Sequence, residues 1–275
     1  MRVTSIERIT RDGLFKQNLS WSPNGKEILF SPNRSGAFTV CTIEPNGSHF
    51  RQITPTPPDK APRYQAEWSP DGKQIVYVSF TFKGTDGFLH LHLVNADGSA
   101  DKRIITGPQF NQQPCFAPDG KSIAFSSIHE GGVLKLYQSD LEGKTITPLT
   151  KEGNLDQHAH FSPDGKQIVF DSAREGVQSI YVLDRGSGKV RRLTKGASTD
   201  IYPRWSPNGE WIAFVSRRDS NEEVYVMRPD GTELFNISSH PGYDHYPTWK
   251  PDSKAIAFVS RRDHVTDIYV ANLAL

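Results

Sequence analysis

A short segment, Ser-Pro-Asp-Gly or a close variant, recurs six times along the chain. It stands at Ser22-Pro23-Asn24-Gly25, Ser69-Pro70-Asp71-Gly72, Ala117-Pro118-Asp119-Gly120, Ser162-Pro163-Asp164-Gly165, Ser206-Pro207-Asn208-Gly209 and Lys250-Pro251-Asp252-Ser253. The prolines are 47, 48, 45, 44 and 44 residues apart. A strand-rich repeat of that period restricts the chain to a propeller or a solenoid.

Residues 200–238 show what one repeat contains. Asp200–Trp205 reads as a strand running into the turn Ser206-Pro207-Asn208-Gly209, and Trp211–Ser216 as a second, mostly buried strand. A polar loop, Arg217–Asn221, leads to a third strand at Val224–Met227, and Pro229-Asp230-Gly231-Thr232 turns the chain into a fourth at Leu234–Ser238. Proline presets φ for the turn, and Asn-Gly or Asp-Gly supplies the positive φ that closes a hairpin. Each repeat is therefore a four-stranded antiparallel meander, the unit of a propeller blade. Two aromatic series, Trp21, Trp68, Phe116, Phe161, Trp205, Trp249 and Phe30, Tyr77, Phe125, Phe170, Phe214, Phe258, are expected to fill the space between blades.

The chain ends decide between the two architectures. Fourth strands close on an apolar residue followed by Thr or Ser: Ile9-Thr10, Ile53-Thr54, Ile105-Thr106, Leu149-Thr150, Leu193-Thr194 and Ile237-Ser238. The first of these precedes any complete repeat, and the last repeat stops after its third strand, Ile268–Leu273. Ser5–Thr10 should supply the missing strand, which removes two exposed sheet edges. The expectation is an all-β chain: a closed six-bladed propeller whose N-terminal strand completes the last blade, forming one domain over residues 1–275.

Composition narrows the partners. With 32 basic and 31 acidic residues the net charge is +1, against a general nucleic-acid binder. No apolar run approaches the roughly 20 residues of a membrane span, so a soluble protein without membrane insertion is expected. The first residues show no apolar signal region, which reads as cytoplasmic, or as periplasmic if a signal peptide has been removed. A monomer is expected, and Cys41 and Cys115, in different repeats, should be free thiols.

The pattern aromatic-Ser-Pro-Asp-Gly-Lys-x-Ile-Ala/Val-Phe, then Ser-x-Arg, Ile-Tyr-Val, Asp-Gly and Leu-Thr, clearest in Phe161–Thr194 and Trp205–Ser238, resembles the TolB-type, WD-like propeller repeat. The resemblance covers about residues 5–273. It implies the fold, and a scaffold that binds a protein or peptide partner at the channel mouth. The family's namesake carries an additional N-terminal domain that these residues do not include. Similar repeats occur in the gating domains of prolyl oligopeptidases, whose Gly-x-Ser-x-Gly elbow is not found here. They also occur in oligogalacturonate lyase, with its His/Gln metal site. That likeness supplies the alternative: a metal-dependent lyase or hydrolase with a divalent cation in the channel.

In a propeller the first strand of each blade lines the channel, so positions counted back from the turn aromatic face it. Five back stand Lys16, Arg63, Asn111, Asp156, Asp200 and Asp244. Three back stand Asn18, Gln65, Gln113, His158, Tyr202 and Tyr246, and one back Ser20, Glu67, Cys115, His160, Arg204 and Thr248. The expected ligand-binding residues are Lys16, Arg63, Gln65, Gln113, Asp156, His158, Asp200, Tyr202, Asp244, His245 and Tyr246. They lie at the end carrying the loops after the second strands, because the short turns at the other end are nearly alike in every blade. The aspartates have a second reading, as ion pairs Asp156–Arg174, Asp200–Arg218 and Asp244–Arg262. His158 and His160, on one strand face, together with His245 are the candidate metal ligands for Mn²⁺ or Zn²⁺. Their plainer role is hydrogen bonding at the channel wall. The stretch Phe80–Phe88 reads as a long aromatic loop suited to binding.

Overall fold

A computed structural model describes residues 1–34, 36–58, 60–83, 86–106, 110–129 and 132–274, with backbone only at 82, 83 and 86. The described residues form six antiparallel sheets, each built on a four-strand meander, and no helix. The innermost strands are Lys16–Trp21, Arg63–Trp68, Asn111–Phe116, Gln157–Phe161, Asp200–Trp205 and Tyr243–Trp249, in blades 1 to 6. Each packs on the innermost strand of the next blade, and Lys16–Trp21 packs on Tyr243–Trp249, so the ring closes. The closure strand is where the repeat count places it. Arg2–Arg8 pairs antiparallel with Val265–Ala274, Arg8 opposite Tyr269, as the outer strand of blade 6.

Six hydrophobic clusters occupy the six gaps between neighbouring blades. Both aromatic series lie in them, and the second, from Phe30 to Phe258, is almost fully buried. Burying one such ring contributes about 1.5–3 kcal/mol, so the core is distributed around the ring.

Polar motif residues have local tasks. In Ser69-Pro70-Asp71-Gly72, Ser69 Oγ donates to Asp71 (2.7 Å) and accepts the Gln74 N–H (2.9 Å), while Asp71 accepts the Lys73 N–H (3.0 Å). Gly72 has φ +71°, and a Cβ there would meet the ring of Pro23 in the preceding blade at 3.5 Å. The same Gly-on-Pro contact recurs at Gly25, Gly120, Gly165 and Gly209, so the turns tile one face of the ring. In five blades the hydroxyl after the fourth strand accepts an N–H in or beside the third strand: Thr54 from Val40, Thr150 from Leu136, Thr194 from Ile180, Ser238 from Val224 and Thr10 from Ile268. Cys41 and Cys115 are buried free thiols.

Two expectations change here. Phe80–Phe88 is largely strand, since Gln74–Lys83 and Asp86–Asn95 form one long hairpin. Phe80 lies over Gly87, where a Cβ would meet its ring at 2.5 Å. Gly84 and Thr85, and the side chains of residues 82, 83 and 86, lie outside the described residues. The second change concerns Asp244 and Arg262, which form no ion pair. In blade 6 the second strand runs on through Arg262, which pairs with Val265, whereas Arg174 and Arg218 stand in loops after their strands end. Arg262 keeps its bond to Ser260 (2.9 Å) and lies over the Tyr269 ring at 4.3 Å.

Candidate functional site

Every innermost strand carries a bulge at the same place, and Asn18, Gln65, Gln113, His158, Tyr202 and Tyr246 occupy it with φ of 51° to 56°. A left-handed conformation costs a side-chain-bearing residue roughly 1–2 kcal/mol. In three blades the N–H at the bulge is captured across the gap. Gln113 N–H donates to Gln65 Oε1 (2.9 Å), His158 N–H to Gln113 Oε1 (3.2 Å), and Tyr202 N–H to Asp171 Oδ1 (3.2 Å). The side chains form an inner belt: Gln113 meets His158 Nε2 at 2.7 Å, and Tyr202 contacts both the His158 and Tyr246 rings. His158 Nδ1 sits 2.7 Å from the buried Asp171, which also accepts from Gln178. Gln113 Oε1 already accepts from Ser126 and His158 N–H, so its amide nitrogen donates to Nε2 and the imidazole proton lies on Nδ1.

The bulge corrects the metal reading. It separates His158 from His160, so they do not share a face. His158 is engaged on both nitrogens, His160 accepts the Trp205 N–H (3.2 Å) toward the turn end, and His245 contacts Glu222 (2.6 Å). Among the described residues no group of three His, Cys, Asp or Glu side chains is arranged to hold a metal, so these three histidines do not fit one.

At the loop end the charged candidates are mostly buried. One Arg174 nitrogen donates to both Asp156 oxygens (3.0 Å each), and Arg218 donates to one Asp200 oxygen (3.2 Å). Lys16 is fully buried, its ammonium held by Asp12, Asp267 and two carbonyls. Arg63 lies 3.7 Å from Asp101, which also accepts from Tyr77. Asp244 is buried, with no hydrogen bond of ordinary geometry to its carboxylate among the described residues; burial pushes its pKa up to about 6, against weaker opposition from Ser260 and Ser238. Burial also raises Glu222, but its bonds to His245 and Arg217 outweigh this and hold it below the usual carboxylate range. Lys16, His245 and Tyr246 line a cavity of about 440 Å³ between blades 6 and 1, with Phe15, Tyr243 and His264.

Apolar side chains stand exposed around this mouth beside charged ones such as Arg217 and Arg261. Phe15, Phe110, Leu155 and Tyr243 are 53, 42, 41 and 51 % exposed, and all stand six residues before the turn aromatic. The strand count stopped one position short of them, and one further step would have found the series.

At the turn end the channel opens into a second cavity of about 350 Å³, walled by the turn prolines and the first aromatic series. Its polar groups are Ser20, Glu67, His160, Arg204 and Thr248, each one back from a turn aromatic, together with Ser69 and Ser206 of the turns. Glu67 and Arg204 form an ion pair at 2.9 Å, their side chains 14 and 22 % exposed. Burial raises the Glu67 pKa despite Arg204, and burial together with the Arg204 charge holds His160 far below the ordinary histidine value.

Six blades in a closed ring and a non-covalent closure strand define a six-bladed β-propeller. Residues 57–202 and 195–274 match the TolB beta propeller domain. The chain belongs to that family. It is 31 % identical over 125 residues to the Tol-Pal system protein TolB of Bordetella pertussis, a match covering 30 % of this chain and 28 % of that protein. The match thus spans less than a third of the length of that curated relative. In three dimensions it is similar to a putative TolB from Agrobacterium tumefaciens (22 % identity, 98 % of this chain and 97 % of that one, TM-score 0.71). It is also similar to an oligogalacturonate lyase in complex with manganese (16 % identity, 100 % and 95 % covered, TM-score 0.65). At these identities the structural likenesses speak for fold alone.

Proposed function

We propose that this protein is a non-catalytic scaffold that binds a protein or peptide partner at the loop end of its channel. The observation that carries the reading is the set of exposed apolar side chains at one register position, Phe15, Phe110, Leu155 and Tyr243, in four of six blades. Exposed aromatics around a concave centre are the chemistry of an interface core. Beneath them His245, Tyr246 and Glu222 supply directional polar groups. The family match and the likeness to the Tol-Pal system protein TolB support the reading.

The competing reading is a channel-centred lyase or hydrolase, and the Asp171–His158 pair at 2.7 Å beside Tyr202 is what favours it. Aspartate orients such a histidine for proton transfer, but here the second nitrogen faces Gln113, so a substrate would have to displace that amide. A photo-crosslinking residue at Tyr243, compared with one at Asp164 on the turn face, separates the readings. A discrete protein adduct in cells from Tyr243 and none from Asp164 is expected. Adducts from Asp164 alone, or from neither, would overturn the scaffold reading.

A further inference from the structure

Glu67 belongs to blade 2 and Arg204 to blade 5, which face each other across a ring of six. Their ion pair is therefore a bar across the channel, and it forms the floor of the turn-end cavity. We infer that this cup is a second binding site, separate from the loop-end mouth, for a small uncharged, hydroxyl-rich ligand of about one sugar ring seated on the Glu67–Arg204 pair.

Three features lead there. The cup, at about 350 Å³, lies at the small end of ligand sites. Its wall is aromatic rings and proline, which suits the C–H faces of a saturated ring. Its floor offers donors and acceptors together. Glu67 accepts one bond at each oxygen, from the Phe116 N–H (3.2 Å) and from Arg204 (2.9 Å), leaving lone pairs on both. Arg204 makes one side-chain hydrogen bond among the described residues, so four of its five N–H donors stay available. His160 accepts the Trp205 N–H at Nδ1, so its proton is on Nε2 as a further donor.

The charge of the ligand follows from the bar. A carboxylate that takes Arg204 strands Glu67, and an ammonium that takes Glu67 strands Arg204; an unpaired buried charge is strongly unfavourable. A hydroxyl both donates and accepts, so it bonds to the intact pair. The six residues just before the turn aromatics differ from blade to blade, so the cup is not a symmetric plug of repeated groups.

Four of the five tryptophans, Trp21, Trp68, Trp205 and Trp249, line the cup, so intrinsic fluorescence reports on it. The whole chain is titrated with glucose, galactose and mannose, and with the hexuronate and hexosamine of each. We expect a saturable change with at least one neutral hexose, and binding weaker by about tenfold or more for its charged counterparts. Glu67→Gln/Arg204→Met, which replaces the pair with uncharged groups of similar size, should lose at least about tenfold in affinity with its melting curve retained. Thr248→Phe, which narrows the cup without touching the bar, keeps the test decisive if the double variant fails to fold, and should weaken the hexose comparably. No saturable response to any hexose, a charged counterpart that binds as tightly, or unchanged binding in the folded variants would overturn the inference.

Discussion

Asp244 holds in blade 6 the position that Asp156 and Asp200 hold in blades 4 and 5, yet it lacks their arginine. Burial raises its pKa to about 6, with Glu223 adding to the shift and Ser260, Ser238 and Arg262 opposing it. An unfolded aspartate titrates near 3.9. The folded state therefore binds the proton more tightly, and this group adds stability as pH falls from about 6 to about 4 and withdraws it as pH rises. The swing is on the order of 2–3 kcal/mol. Asp244→Asn should be closer to pH-independent, so its melting temperature should gain on the parent between pH 4 and pH 8. An equal difference at both pH values would refute the assignment. Asp200→Asn behaves differently, since it weakens a bond to Arg218, and a modest loss of stability at neutral pH is expected in thermal melts.

At the level of strands and turns, the Leu-Thr ending is a hydrogen-bonding device. Thr194 Oγ1 accepts the Ile180 N–H at 3.0 Å inside the sheet. Thr194→Val keeps the shape and removes the acceptor, which should cost about 1–3 kcal/mol in denaturant unfolding; no loss would mean that another group takes that N–H. The closure strand extends the argument to a whole element. Arg2–Arg8 covers the edge of the last blade, and Thr10 and Arg8 bond to the buried Asp267 beneath it. Removing residues 1–10 should lower the melting temperature or cause aggregation through the uncovered edge of Val265–Ala274. A truncated chain that melts like the parent would contradict this role.

For the molecule as a whole, the ends of the channel differ in kind. The loop end carries exposed apolar side chains on its rim over polar groups, and the turn end is a small cup floored by an ion pair. Phe15→Ser and Phe110→Ser lie on the rim and should change folding free energy by no more than about 0.5 kcal/mol, while abolishing the crosslink from position 243. A large fall in melting temperature would assign these rings to the fold instead. Asp71 and Asp164 anchor turns on the opposite face, and their alanine variants should affect stability and leave the crosslink intact.

Blade number, strand order and the closing strand were all legible in the chain, because each depends on local turn chemistry and a period counted along one dimension. The Asp–Arg pairs of blades 4 and 5 were legible for the same reason, since hairpin register sets them. The pairing failed at Asp244 because strand length in blade 6, a tertiary outcome, carries Arg262 elsewhere. Strict strand alternation placed His158 and His160 on one face, whereas the bulge separates them, and that bulge is held by bonds from neighbouring blades. Glu67 and Arg204 lie 137 residues apart. No local rule brings them together, and only closure of the ring sets blade 2 against blade 5 and makes the two side chains a floor.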